Sequence, residues 1–235
     1  MSKPKVFITR VIPEKGLEII REYCEVDVWQ NELSPTRDEL LQRVRGIDGL
    51  LSLLTDTIDS EVMDEAGSQL KVISNYAVGF DNIDVPAATA RNIPVGNTPD
   101  VLTDATADFA FALLMAVARR ISEAERYVHE GKWRTWGPMT LLGVDIHGAT
   151  LGLVGFGRIG KAVARRALGF DMRVIYYSPN EKKAYPDLNA TQVDFETLLE
   201  ESDFISLHTP LTPATRHLID AEAVSKMKPN AVLIN

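Results

Sequence analysis

The stretch that decides the fold runs from Thr150 to Gly160, TLGLVGFGRIG. Leu151 to Val154 is a short apolar run of strand character, and it leads directly into Gly155-Phe156-Gly157-Arg158-Ile159-Gly160. A helical pattern carrying Val163, Ala164, Ala167 and Leu168 follows, and Arg173 to Tyr177 reads as a second strand. Strand, three spaced glycines, helix and strand within about 30 residues make the dinucleotide-binding fingerprint. Gly155 permits the tight turn, Gly157 lets backbone amides approach a pyrophosphate, and Gly160 lets the helix lie close on the sheet. The helix N-terminus then offers unpaired N–H groups and a partial positive charge to the phosphates.

The end of the second strand bears on which nucleotide binds. A site for NAD places an acid there for the ribose hydroxyls, about 20 residues beyond the fingerprint. Here the strand ends in Ser178-Pro179-Asn180, followed by Glu181, Lys182 and Lys183. Without a carboxylate at the strand end a 2′-phosphate meets no repulsion, and Lys182 can pair with one. The expected cofactor is NADP(H), with NAD(H) the alternative, and a solvated loop is the other reading of the two lysines.

Toward the N-terminus the chain alternates strand and helix patterns. Lys5 to Thr9 reads as a strand, Glu14 to Ile20 as a helix, Val26 to Trp29 as a strand, and Pro35 to Val44 as a helix. Strand Gly49 to Leu54, helix Ser60 to Ala66, strand Lys71 to Ser74, helix Val85 to Arg91 and a short strand at Pro94-Val95 complete the series. Such alternation predicts a parallel sheet with helices on both faces. Two domains are expected, 1–99 and 100–235, the second opening on a helix from about Asp100 to about Arg120. That helix is apolar around several faces, which predicts burial on more than one side, in a core or a subunit interface. Gly131 to Gly148, with Trp133 and Trp136, has no regular period and reads as an ordered excursion, because Trp is costly to leave in solvent.

Composition narrows the function classes. Of 235 residues 45% are apolar and 25% charged, which excludes disorder and collagen-like repetition. The 33 acidic residues against 25 basic ones leave a net charge of −8, so nucleic acid and anionic membranes are not expected partners. The single cysteine, Cys24, excludes an internal disulfide and a thiolate metal site, and reads as a small buried residue near a helix. With no basic region and apolar core at Met1 to Arg10, and no apolar run of about 18 residues, the expectation is a cytoplasmic protein without signal peptide, membrane span or metal.

Beyond the fingerprint, five segments carry a more specific likeness: Asn75 to Asp84 (NYAVGFDNID), Asn97 to Ala107 (NTPDVLTDATA), Trp133 to Gly143 (WRTWGPMTLLG), Ser202 to Ile219, and Met227 to Asn235. Through them the whole chain resembles the D-isomer-specific 2-hydroxyacid dehydrogenases, and within that family most of all the glyoxylate/hydroxypyruvate reductases. The resemblance implies a flavodoxin-like α/β substrate domain followed by a Rossmann doubly wound parallel-sheet domain, and NAD(P)H-dependent reduction of a small 2-oxo acid to the D-2-hydroxy acid. A nucleotide-sensing protein of the corepressor kind, found in the same family, is the alternative.

By position, the resemblance implies that Ala77, Val78 and Gly79 offer backbone amides to the substrate carboxylate, with Leu53 close by; Gly79 and consecutive N–H groups suit an anion. Trp136 stands where some relatives send an aromatic side chain into the neighbouring subunit's site, and a homodimer is expected. Thr103, His208, Thr209, Pro210 and Thr215 would line the cofactor, beside Gly155, Phe156, Gly157, Arg158, Ile159, Gly160, Ser178, Pro179, Asn180 and Lys182. The family's catalytic arginine, glutamate and histidine have no match within this chain. The arginine's place is the third position beyond the strand that ends at Asn235, and His129, His147, His208 and His217 do not match the acid. From Leu151 on, strands are expected at 151–154, 173–177, about 190–193, 204–207 and 231–234, against six in a complete dinucleotide fold. The expectation is a chain that stops short of its catalytic groups, inactive by itself or binding cofactor weakly.

Overall fold

Strand β1 (Lys5–Ile8), helix α1 (Glu14–Tyr23), β2 (Glu25–Val28), α2 (Arg37–Arg43), β3 (Gly49–Ser52), α3 (Ser60–Ala66), β4 (Val72–Asn75), α4 (Val85–Ala90) and β5 (Val95–Gly96) follow the alternation of the sequence closely. The computed structural model describes residues 2–179 and 185–235. The chain divides into two compact units, Met1–Val101 and Leu102–Asn235.

In the first unit the five strands are all parallel, in the order β2-β1-β3-β4-β5, the flavodoxin-like winding. The central strands bury Phe7, Leu50 and Ile73 together with Ile58, Val62 and Met63, while Ile8, Ile12 and Leu17 fill the other face under α1. Helix starts are fixed by side chains. Thr36 and Glu39 form a reciprocal capping box on α2, and the carboxylates of Asp59 and Asp84 accept from Val62 N–H and Ala87 N–H at α3 and α4. The loops that leave the C-terminal ends of β3 and β4 are thereby anchored where they enter α3 and α4. Cys24 ends α1 as a half-buried residue.

The second unit contains α5 (Thr103–Ala118), α6 (Ile121–His129), β6 (Thr150–Val154), α7 (Arg158–Ala167), β7 (Arg173–Tyr177), β8 (Ala190–Gln192), α8 (Phe195–Glu201), β9 (Phe204–Leu207), α9 (Ala221–Lys226) and β10 (Val232–Ile234). Its sheet is parallel, in the order β10-β9-β6-β7-β8. Counted from β6 this is 3-2-1-4-5, the dinucleotide-fold order through its fifth strand. One face packs Leu151, Leu153, Val174 and Phe204 against α5 and α7, and the other packs Val154, Ile175 and Ile205 against Leu198 and Leu199 of α8. Burial on both faces explains why these strands are apolar without alternation.

One helix boundary is corrected, and two expectations of burial are not met within the single chain. The helix expected from Asp100 to Arg120 begins at Thr103, and Arg120 in a left-handed conformation (φ 53°) breaks it from a second helix, α6, that periodicity did not announce. Burial on α5 is one stripe, Ala107, Ala110, Phe111, Leu114 and Ala118, while Phe109 and Val117 are exposed. The tryptophans of the excursion are not packed away either: Trp133 is 60% and Trp136 77% exposed. No helix among the described residues is long and apolar enough to cross a membrane.

Candidate functional site

Parallel α/β sheets bind ligands beyond the C-terminal ends of their strands, where the strand order reverses. In the second unit that point lies between β6 and β9, and the fingerprint occupies it. Gly155 has φ +94°, and a Cβ there would fall 2.5 Å from the carbonyl oxygen of His208. Only glycine fits both the left-handed backbone and the approach of the neighbouring loop. A Cβ on Gly160 would lie 2.4 Å from the Gly155 carbonyl oxygen, so α7 starts directly against the turn. Gly157, the N-cap of α7, differs from both: a Cβ there meets nothing within 4 Å. No side chain caps α7, so the helix begins directly at this turn with an open approach at Gly157. This cradle of amides and glycine fits the pyrophosphate of a dinucleotide.

Around the cradle the predicted residues divide. Arg158 is exposed and Ile159 is half-buried against the core. The ring of Phe156 is only 1% exposed and stacks on Tyr176 with centroids 3.9 Å apart, so its side chain is core and only its backbone faces the turn. Ser178 and Pro179 follow β7, and the Ser178 carbonyl accepts from Gln192 Nε2 at 2.9 Å. Asn180 and Lys182 lie outside the described residues, as do Glu181 and Lys183. Thr103 is the half-buried first residue of α5.

The loop after β9 forms the other wall. His208 N–H donates to the Val154 carbonyl at 2.8 Å, which locks the loop to the end of β6. Thr209, Pro210 and Thr215 line a cavity of ≈ 480 Å³ together with Leu207, Leu233 and Asn235. The Thr215 hydroxyl is committed to this loop, donating to the Pro210 carbonyl at 2.6 Å and accepting from Thr212 N–H at 2.8 Å. His208 Nε2 lies 2.9 Å from Ser206 Oγ, and burial pushes its pKa down to about 4. The imidazole is therefore neutral at pH 7 and has no proton to give as a cation.

That shift has a measurable consequence. Between pH 6.5 and about 4 the unfolded chain protonates this histidine and the folded chain does not, so stability falls as pH falls. Urea midpoints measured at pH 7 and pH 5 are expected to differ less for His208→Gln than for the parent chain. Identical pH slopes would contradict the shift.

In the first unit, Leu53, Ala77, Val78 and Gly79 come together where β3 and β4 end. Asn82 Nδ2 donates to the Leu53 carbonyl at 3.0 Å and to the Asp56 carbonyl at 2.9 Å, tying the segment after β4 to the loop after β3. A Cβ on Gly79 would lie 3.2 Å from Asp81 Oδ1 and 3.8 Å from Leu54 Cδ2, in the space beside that loop. Thr9 and Asp56 reinforce the arrangement from below: Asp56 Oδ2 accepts from Thr9 Oγ1 at 2.5 Å and from Leu53 N–H at 2.8 Å. Sequence reading missed this layer, since Asp56 reads as one more acid until its burial (4% exposed) is known. Trp136 belongs to the second unit.

Comparison with known proteins adds to this geometry. The model of the family described as "D-isomer specific 2-hydroxyacid dehydrogenase, NAD binding domain" matches residues 111–235. The glyoxylate reductase of Korarchaeum cryptofilum (strain OPF8) is 55% identical over 235 residues, covering 99% of this chain and 70% of that protein. The glyoxylate reductase of Thermococcus litoralis is 55% identical over 238 residues, covering 99% of this chain and 72% of that protein. A crystal structure of a Thermus thermophilus protein superposes with a TM-score of 0.91 at 49% identity, covering 97% of this chain and 72% of that one.

Proposed function

The chain belongs to the D-isomer specific 2-hydroxyacid dehydrogenase family, and from this premise we propose that it serves the NAD(P)H-dependent reduction of glyoxylate, and of hydroxypyruvate, to the D-2-hydroxy acid. Residues 1–99 are the substrate-binding domain and 100–235 the dinucleotide-binding domain. The observation that carries the reading is the open approach at Gly157, flanked by two glycines that tolerate no Cβ, at the uncapped start of α7.

Within this reading Gly155 to Gly160 hold the pyrophosphate through backbone amides, and Thr103, His208, Thr209, Pro210 and Thr215 wall the cofactor. NADP(H) is the preferred form, supported by the missing carboxylate at Ser178-Pro179-Asn180 and by Lys182. When bound, the nicotinamide supplies the hydride. The amides of Val78 and Gly79, with Ala77 behind them and Leu53 opposite, hold the substrate carboxylate. His208, neutral down to about pH 4, excludes water from the cofactor rather than moving a proton.

The test is NADPH oxidation with glyoxylate, followed by absorbance, for the 235-residue chain and for one extended to the length of its relatives. Glyoxylate-dependent oxidation by the extended chain, with negligible oxidation by the 235-residue chain, supports the reading, and robust turnover by the 235-residue chain would contradict the absence of its catalytic groups. Saturable NADPH binding without turnover at either length would overturn it in favour of a nucleotide-binding regulatory role.

The working form is a cytoplasmic homodimer. Its support is the set of exposed apolar side chains on the second unit, Phe109, Val117, Ile121, Val128, Trp133 and Trp136, each more than half exposed. Light scattering at micromolar concentration is expected to give twice 26.0 kDa, and Phe109→Asp to give a monomer. A monomeric parent chain would contradict it.

A further inference from the structure

We propose that Asn75 and Asn97 are positioning residues for the oxo-acid carboxylate, an inference that rests on the reading of the Ala77-Val78-Gly79 turn as its binding nest. A trans peptide points its C=O and its N–H in opposite directions, so a group that holds a carbonyl also aims the next residue's amide. Three consecutive carbonyls of this turn are held. The Ala77 carbonyl accepts from Thr98 N–H at 2.8 Å, the Val78 carbonyl from Asn97 Nδ2 at 2.9 Å, and the Gly79 carbonyl from Asn75 Nδ2 at 2.8 Å. The amides of Val78, Gly79 and Phe80 are thereby turned to the other side, and among the described residues none of them meets an acceptor. Consecutive amides left free together form an anion-binding concavity. What distinguishes this turn is that each peptide plane is pinned from behind by a separate donor.

The two asparagines reach the turn from different elements. Asn75 is the last residue of β4 and is fully buried. Its Oδ1 accepts from Ser52 Oγ at 2.9 Å and its Nδ2 also donates to Asn82 Oδ1 at 2.9 Å. Asn82 in turn holds the carbonyls of Leu53 and Asp56, so one pair of side-chain amides sets both the turn and the loop opposite it. Asn97 follows β5 and is exposed, and its side chain reaches back to the Val78 carbonyl, which aims the Gly79 amide. Neither asparagine need touch substrate. Both act through the peptide planes that do.

The experiment uses oxalate, a planar dicarboxylate close to a 2-oxo acid in shape, titrated into the ¹⁵N-labelled 235-residue chain. In the parent chain the amide protons of Val78, Gly79 and Phe80 are expected to move downfield and saturate. In Asn97→Ala the Gly79 response is expected to be largely lost and oxalate to bind about fivefold more weakly, the value of one hydrogen bond, with melting temperature and NADPH affinity unchanged. Asn75→Asp keeps an acceptor for Ser52 but removes the donor to Gly79, and its expected loss is the Phe80 response. Since a carboxylate buried at residue 75 can unfold the first unit, the exposed Asn97 variant carries the decision. Parent-chain shifts that Asn97→Ala retains at equal affinity would overturn the positioning role and leave the nest intact. Absence of any oxalate response at residues 78–80 in the parent chain would overturn the nest reading itself, and the positioning role with it.

Discussion

Gly155→Ala is expected to lower the melting temperature by roughly 10 °C. Two costs add at this position. The backbone sits at φ +94°, where a residue with a Cβ is penalised by about 1–2 kcal/mol. The methyl group would also lie 2.5 Å from the His208 carbonyl oxygen and 3.0 Å from Thr209 Cγ2, and forced overpacking costs about 1–3 kcal/mol. Relief requires the β9 loop to move, yet that loop is bonded to the end of β6 through His208 N–H. For a chain of this size each kcal/mol is worth about 2–4 °C. Thermal denaturation followed by circular dichroism checks it, and an unchanged melting temperature would contradict the account of the turn.

Gly157→Ala is expected to do the opposite, sparing the fold and weakening NADPH binding at least tenfold. A Cβ at residue 157 has no neighbour within 4 Å and φ is an ordinary −74°. The one structural cost is that alanine is a poorer N-cap than glycine, about 1 kcal/mol or less, or roughly 3 °C. The binding cost is larger because the methyl group stands where a pyrophosphate must come within hydrogen-bond distance of the amides. Loss of one hydrogen bond to a charged group is worth about 1.5–3 kcal/mol, which is tenfold or more in affinity. Calorimetric titration of NADPH into both proteins decides the matter. The pair of variants separates two roles that the glycine fingerprint merges: a glycine the fold requires and a glycine the ligand requires.

That separation marks the border of what was legible in the sequence. The alternation of apolar runs with helical periods announced both parallel sheets, and strand, glycines and helix located the fingerprint to the residue, because these signals are local. Gly152 escaped notice for the converse reason. It lies within β6, and a Cβ there would fall 2.1 Å from Ser202 Oγ and 2.9 Å from Leu198 Cδ2, a demand made by α8 from some fifty residues away. The break at Arg120 was hidden likewise, since an arginine with φ 53° carries no composition signal for a left-handed turn. The excursion with its two tryptophans reads as ordered because tryptophan is costly to leave in solvent, and within the single chain both side chains stand exposed.

At the candidate site the gap has the same origin. Gly79 could be singled out by type, and the resemblance placed the turn around it. Asn75 and Asn97, whose side chains hold the Gly79 and Val78 carbonyls, could not, because they reach the turn only when the segments after β4 and β5 converge. An exposed asparagine and a fully buried one are indistinguishable as letters. His208 was placed correctly at the end of a strand, but its neutrality depends on burial that periodicity does not report.

Nucleotide binding at the glycine fingerprint is tested by an NADPH titration into the ¹⁵N-labelled 235-residue chain, read residue by residue from the amide resonances. Saturable binding at one site is expected, with the largest shifts at Phe156, Gly157, Arg158 and Ile159 and smaller ones at His208 and Thr209. Binding that leaves these amides unmoved, or no saturable binding at all, would contradict it.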